Sequence, residues 1–172
     1  MIEKEIRYVV KDQEGLRSLI KDSGAHYIKT KTKHDIYYGN SNMNGAVVRI
    51  RISNGKKEIF FKGSVNEKNN LFERIELKGT VVDPNNKLSE VLSELGLRKI
   101  SENKAVTTYW KLDDVQISIS KFTYPTKLEY IEFESESITE NWISSKFPGM
   151  GSVTKPIDKT TFLEFDRKKQ QP

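Results

Sequence analysis

Cysteine is absent from the 172-residue sequence, and histidine occurs only twice. Without thiols there is no disulfide framework and no thiolate metal centre, so any metal would be held by oxygen or by His26 and His34. Both histidines stand alone near loop positions and read as surface or packing residues rather than catalytic ones. The sequence also lacks an apolar run near the ~18 residues of a membrane span, and it lacks a basic segment leading into an apolar one at the N-terminus. The expectation is an unprocessed, soluble protein of the reducing cytoplasm. No G-x-x-x-x-G-K-[ST] or G-x-G-x-x-G run is present, which argues against P-loop and Rossmann nucleotide sites. Segregated charge is lacking too: 29 Lys and Arg are interspersed with 24 Asp and Glu, for a net +5. That balance points only weakly to an anionic partner. The one dense basic run, Arg167-Lys168-Lys169, reads as part of a solvated tail over 167–172, leaving 1–166 as a single domain.

What is present is period-two alternation rich in β-branched and aromatic residues. It predicts eight strands near 2–10, 34–39, 46–53, 57–63, 71–81, 104–112, 114–121 and 128–135. Three helices are predicted between them. Asp12 to Gly24 places Leu16, Leu19 and Ile20 at helical spacing. Asp83-Pro84 reads as an N-cap with proline at the first helical position, followed by the stripe Leu88, Val91, Leu92, Leu95 and a closing Gly96. Ser137-Ile138-Thr139-Glu140 has the form of a capping box before Trp142, Ile143 and Phe147, with Pro148 as the stop. The order is strand, helix, three strands, then the same again, and "EIRYVVKD" (5–12) echoes "ELKGTVVD" (76–83), as in a pseudo-duplicated unit. Helices placed between runs of antiparallel strands indicate α+β rather than a doubly wound sheet.

The strand faces carry the functional signal. Glu3, Glu5 and Arg7 share one face of the first strand, opposite Ile2, Ile6 and Tyr8. Arg49 and Arg51 oppose Val48, Ile50 and Ile52. Phe60 and Lys62 oppose Ile59 and Phe61. Arg74, Glu76 and Lys78 oppose Ile75 and Leu77, and Glu132 and Glu134 oppose Ile131 and Phe133. An open antiparallel sheet with one solvated face would account for simple alternation. It does not account for like charges paired at i,i+2, since two like charges that approach to about 4 Å repel by about 4 kcal/mol at an effective dielectric near 20 unless a counter-charge intervenes. Closing eight strands into a barrel gathers both signs in one lumen and removes the sheet edges. Guanidinium forks there suit phosphate oxygens, and paired carboxylates suit Mg²⁺ or Mn²⁺, so a linear polyphosphate with its metals satisfies both sets.

These residues resemble the CYTH superfamily, the triphosphate tunnel metalloenzymes that include class IV adenylyl cyclases, thiamine triphosphatases and inorganic triphosphatases. "EKEIR" (3–7) is similar to the family's E-x-E-x-K signature, "HDIYYG" (34–39) to its D-x-Y-Y strand and "VVRIR" (47–51) to its L-R-x-R strand. "FFKG" (60–63) resembles Y-K-G, "RIEL" (74–77) R-x-E, and "YIEFE" (130–134) E-I-E. The resemblance implies an eight-stranded antiparallel tunnel with flanking helices. It implies catalytic roles for Glu3, Glu5, Arg7, Glu132 and Glu134, and metal binding by Glu3, Glu5, Glu76, Glu132 and Glu134. Triphosphate binding falls to Arg49, Arg51, Lys62 and Arg74, and to Lys104, which with Tyr109 fits a K-x-R-x-x-Y strand. Three positions depart from the pattern. Arg7 replaces lysine and cannot accept a proton, Val106 stands at the arginine of K-x-R, and Ser118, Ser120 and Lys121 stand where an aspartate is usual. Asp113 or Asp114 could supply that acid, but adjacent residues face opposite ways, so only one could enter the lumen.

The reaction this implies is Mg²⁺- or Mn²⁺-dependent hydrolysis of tripolyphosphate or of a nucleoside or thiamine triphosphate. The alternatives are a class IV adenylyl cyclase making cyclic AMP and pyrophosphate from ATP, and a module that binds triphosphate without turnover. Tyr37, Tyr38, Tyr109, Trp110 and Tyr124 could stack a base at the tunnel mouth or serve as cross-strand packing. A nucleic acid is not expected as a partner except through an RNA 5′-triphosphate end, and monomer and homodimer are both compatible with the sequence.

Overall fold

A computed structural model describes residues 2–68 and 71–157; within these, the side chains of Ile2, Glu3, Glu67 and Lys68 are not described. The elements in chain order are β1 (Ile2–Val10), α1 (Gln13–Asp22), β2 (His26–Gly39), β3 (Val47–Ser53), β4 (Lys56–Lys62), β5 (Asn66–Lys68) and β6 (Leu71–Val81). They continue with α2 (Leu88–Glu94), β7 (Arg98–Leu112), β8 (Val115–Tyr124), β9 (Leu128–Glu134), α3 (Glu140–Lys146), α4 (Met150–Val153) and β10 (Thr154–Pro156). The repeated order of strand, helix and three strands is therefore present, with β5 and β10 as short additions.

Every strand pairing is antiparallel, and the order β1-β9-β8-β7-β2-β3-β4-β6 closes through a further β1–β6 ladder into a ring of eight. Each half ends beside the start of the other, β4 against β6 and β9 against β1. Closure is staggered, as barrel geometry requires. β6 covers only residues 2–6 of β1, and β10 pairs with residues 8–10 on the same flank; β4 covers residues 76–81 of β6, and β5 pairs with 71–73. The two additions thus give hydrogen-bond partners to backbone that the stagger leaves over.

The outward faces of the strands form two separate cores. Ile6, Ile117, Ile131 and Phe133 pack against Leu16 and Ile20 of α1, Ile143 of α3, and Phe147 and Met150. Each such side chain, fully buried, contributes about 1.5–3 kcal/mol. A smaller cluster of Tyr38, Val48 and Ile50 lies under Leu92 of α2. On the outer face of β6, Ile75 and Leu77 are 57% and 59% exposed.

The helix ends correct two expectations. Asp12 caps α1 as expected, accepting the amides of Glu14 and Gly15 at 3.1 Å. Asp83, however, does not begin a helix at Pro84. A turn intervenes with Asn86 in the left-handed region (φ 55°), and α2 starts at Leu88. Asp83 instead reaches forward to the amides of Lys87 (2.7 Å) and Leu88 (3.4 Å) and back to the Lys57 ammonium (2.7 Å). Gly96 closes α2 as expected, at φ 77°, with Gly96 N–H on Ser93 O and Leu97 N–H on Leu92 O. In α3 the cap is Thr139, which accepts from Trp142 N, while Ser137 is engaged by Asp114. No helix among the described residues is long and apolar enough to cross a membrane.

Candidate polyphosphate tunnel

The ring encloses a cavity of about 850 Å³. Strand parity decides which side chains reach it, because alternate residues of a barrel strand face in and out. The lumen receives Glu5 and Arg7 from β1, Arg49 and Arg51 from β3, Phe60 and Lys62 from β4, Arg74, Glu76 and Lys78 from β6, and Glu132 and Glu134 from β9. The ionic faces read from these strands therefore do line the bore, and the open-sheet alternative is excluded. Glu3 pairs with Arg74 across the β1–β6 ladder, but its side chain lies outside the described residues.

Lys104 is a correction. It is exposed on the outer side of β7, opposite His34, while Asn103, Ala105, Thr107 and Tyr109 face the lumen. Lys104 and Tyr109 are an odd number of residues apart, so one strand cannot point both inward; Tyr109 is the one inside. Val106 likewise faces out, 40% exposed. Asp113 and Asp114 belong to the β7–β8 turn, where Asp114 holds Ser135 and Ser137 and Asp113 pairs with Lys146. Neither supplies the missing acid. The inward neighbour of Val106 is Thr107, which faces Ser120, one of the positions where an aspartate is usual, across the β7–β8 ladder and shares a buried hydroxyl hydrogen bond of 2.9 Å with it. The wall is neutral at this pair.

A basic row from β2 was not expected. Lys29, Lys31 and Lys33 line the lumen at period two, passing from exposed through half-buried to buried, with Asp35 and Tyr37 beyond them. The signal available in the sequence was the lysine alternation itself. The outward residues between them are threonines rather than apolar residues, so residues 26–33 lack the two-faced look of a strand.

Among the described residues, nine basic and six acidic side chains line the cavity. On the β1–β9 wall, Glu5 and Glu134 are register partners, as are Arg7 and Glu132. Arg7 Nε donates to Glu132 at 2.7 Å and the same guanidinium contacts Glu5, which is 2% exposed and also 3.4 Å from Arg74. Burial opposes charge on Arg7, but Glu5 and Glu132 more than offset it and raise its pKa well above the ordinary value. Gln116 donates to Glu134 at 3.1 Å.

On the opposite wall, Arg51 grips Asp35 through both arms, at 2.7 and 2.6 Å. Although burial pushes the Asp35 carboxyl up, this fork and Arg49 hold it below the usual carboxylate range. Lys62 pairs with Glu76. Arg49 is 8% exposed, and its guanidinium carbon lies over the Phe60 ring, 4.0 Å from the centroid. Its terminal nitrogens stand 3.8 Å from Asp35 and 3.7 Å from Glu76, and its buried Nε has no hydrogen-bond acceptor. A buried guanidinium with unused donors is costly unless a ligand completes it.

The donor set also permits a fit test for a divalent ion. The carboxylates of the β1–β9 wall are hard oxygen ligands, and no histidine or cysteine lines the cavity among the described residues. That chemistry fits Mg²⁺ or Mn²⁺. No three acidic or histidine side chains among the described residues converge on one point, because Arg7 sits between Glu5 and Glu132.

A closed antiparallel ring around a mixed-charge, predominantly basic bore defines a tunnel fold. Residues 1–148 match the family model for the CYTH domain, so the chain belongs to the CYTH family. A Methanocaldococcus jannaschii protein provisionally named an adenylate cyclase is 25% identical over 124 residues, 69% of each chain. The fold is shared with a Pyrococcus horikoshii protein (TM-score 0.72, 22% identity, 91% of this chain and 96% of that one). It is shared equally with a Hippeastrum protein, provisionally an adenylyl cyclase and described as having a dominant triphosphatase activity (TM-score 0.72, 15% identity, 99% and 98%).

Proposed function

We propose that this protein is a divalent-metal-dependent triphosphatase that hydrolyses a triphosphate lying along the tunnel. The observation that carries the reading is Arg49, a buried cation whose Nε has no acceptor and whose nearest carboxylates are too distant for hydrogen bonds. Phosphate oxygens entering the bore would meet Arg49 and the β2 lysines, while Arg51, Lys62 and Arg74 add positive charge from positions already braced by Asp35, Glu76 and Glu5. Bracing fixes those cations before the ligand arrives, and pre-organised charge is the main resource for phosphoryl transfer. Glu5, Glu132 and Glu134 are the residues that would hold a divalent ion. Such an ion would neutralise phosphoryl oxygens and acidify a water. Arg7, held between two carboxylates, would keep the position of that acidic wall rather than exchange a proton, since a guanidinium stays charged.

The second reading is an adenylyl cyclase, favoured by the names of the Methanocaldococcus and Hippeastrum proteins. In it the ribose hydroxyl attacks the α-phosphorus and pyrophosphate leaves. Incubation with tripolyphosphate, ATP and thiamine triphosphate plus Mg²⁺ or Mn²⁺ separates the two. Orthophosphate release supports the hydrolase, and cyclic AMP with pyrophosphate supports the cyclase. Tight binding with no product from any substrate over hours would overturn both in favour of a binding module.

A further inference from the structure

Lys33 stands apart from the other buried cations of the tunnel. It is 9% exposed, faces the lumen from β2, and its Nζ makes no hydrogen bond or ion pair among the described residues; it lies over the Tyr109 ring, 4.8 Å from the centroid. The carboxylates that could have served it are engaged elsewhere. Asp35, two residues along the same strand, gives both oxygens to Arg51, and Glu132 on β9 accepts from Arg7. The groups facing it from the neighbouring strands are Arg49 and Arg51 on β3 and Tyr109 on β7, two cations and a neutral phenol. An amine buried beside guanidiniums, with no carboxylate of its own, is held in a place that disfavours the ammonium form.

We propose that Lys33 is a polyphosphate-binding residue charged by its own ligand: an anion entering the tunnel draws a proton from solvent onto Lys33 Nζ, and the resulting ammonium pairs with it. This rests on the reading of the tunnel as a polyphosphate site and adds to it a residue and a proton. The balance is simple. Neutral amine, one solvent proton and the anion become an ammonium–phosphate pair, with no bond to the ligand made or broken. Burial, then Arg51, lower the Lys33 pKa to about 7 despite Glu132 and Asp35. The empty tunnel therefore holds mostly neutral amine above that pH, and a bound polyanion moves the group back toward the ordinary lysine range. Between those limits the bound form carries more protons than the free form, so affinity falls as pH rises.

The test is calorimetric titration with inorganic tripolyphosphate, without metal, in buffers of different ionisation enthalpy. Wild type is compared with Lys33→Arg, which keeps a cation that does not titrate, and with Lys33→Met, which has no charge. Protonation of the ligand itself is common to all three and cancels in the difference. At pH 8 the wild type is expected to take up about one proton more than either variant, and its Kd to weaken about tenfold more than theirs from pH 8 to 9. Equal proton uptake in wild type and variants would overturn the inference while leaving the tunnel reading intact. Absence of tripolyphosphate binding by the wild type would remove both.

Discussion

The two opposing walls of the tunnel are built on inverted plans. On the β1–β9 wall one guanidinium, Arg7, sits among Glu5, Glu132 and Glu134; on the β2–β3 wall one carboxylate, Asp35, sits among Lys33, Arg49 and Arg51. Each lone counter-charge lets like charges stand at i,i+2 on a strand, a spacing of about 6.6 Å that would otherwise cost about 2.5 kcal/mol at an effective dielectric near 20. The difference lies in saturation. Arg7 is shared between two carboxylates, whereas Asp35 spends both oxygens on Arg51 and leaves Arg49 and Lys33 with little. The acidic wall is internally satisfied, and the basic wall keeps donors in reserve. On the proposed function, the first holds what activates the reaction and the second holds what is being cut.

The largest expected effect comes from removing charge on the acidic wall while keeping its shape. Glu132→Gln with Glu134→Gln retains hydrogen-bonding capacity towards Arg7 and Gln116 but not the two anions. Turnover of tripolyphosphate with Mg²⁺ or Mn²⁺ is expected to fall by about 100- to 1000-fold, the scale seen when a pre-organised electrostatic group is lost. Binding of tripolyphosphate without metal should hold or tighten, since two repelling charges are gone. Steady-state rates beside metal-free calorimetry check this, and a variant with wild-type turnover would erase the functional distinction between the walls.

The reserve wall should respond the other way. Arg49→Met keeps an aliphatic stem over Phe60 but removes the guanidinium with the orphaned Nε. Charge-assisted hydrogen bonds contribute about 1.5–3 kcal/mol each, so Kd for tripolyphosphate is expected to rise about 10- to 100-fold. Calorimetry reads it directly. Unchanged affinity would mean that the unused donors of Arg49 meet no phosphate.

These contrasts were legible in the sequence wherever a strand is two-faced. Arg49 and Arg51 against Val48, Ile50 and Ile52, or Glu132 and Glu134 against Ile131 and Phe133, assign their own inward side, because the apolar residues have helices to cover them. Ring closure was legible only indirectly, through like charges that needed counter-charges. The first half of β2 was not legible. Thr30 and Thr32 face out and are exposed, so Lys29, Lys31 and Lys33 had no apolar partner face to reveal their direction. The start of α2 failed for a local reason: Asp83 and Pro84 have the composition of a helix start, but Asn86 in the left-handed region delays it to Leu88.

The smallest expected effect tests the parity of β7, where the family pattern and the strand period disagree. Lys104 stands among the K-x-R-x-x-Y residues, yet its exposed side chain is on the outer surface, and the neutral pair Thr107 and Ser120 occupies the wall inside. A cation separated from the lumen by the sheet acts only through screened, long-range attraction, and a Debye length of about 8 Å at physiological salt removes most of that. Lys104→Ala is therefore expected to change tripolyphosphate Kd by less than about twofold at 0.15 M salt, against the much larger loss in Arg49→Met. Titrating both variants side by side checks it. A loss at Lys104 comparable to that at Arg49 would mean that β7 presents its even-numbered residues to the ligand, and the inward register of the whole β2–β7 ladder would then have to shift by one residue.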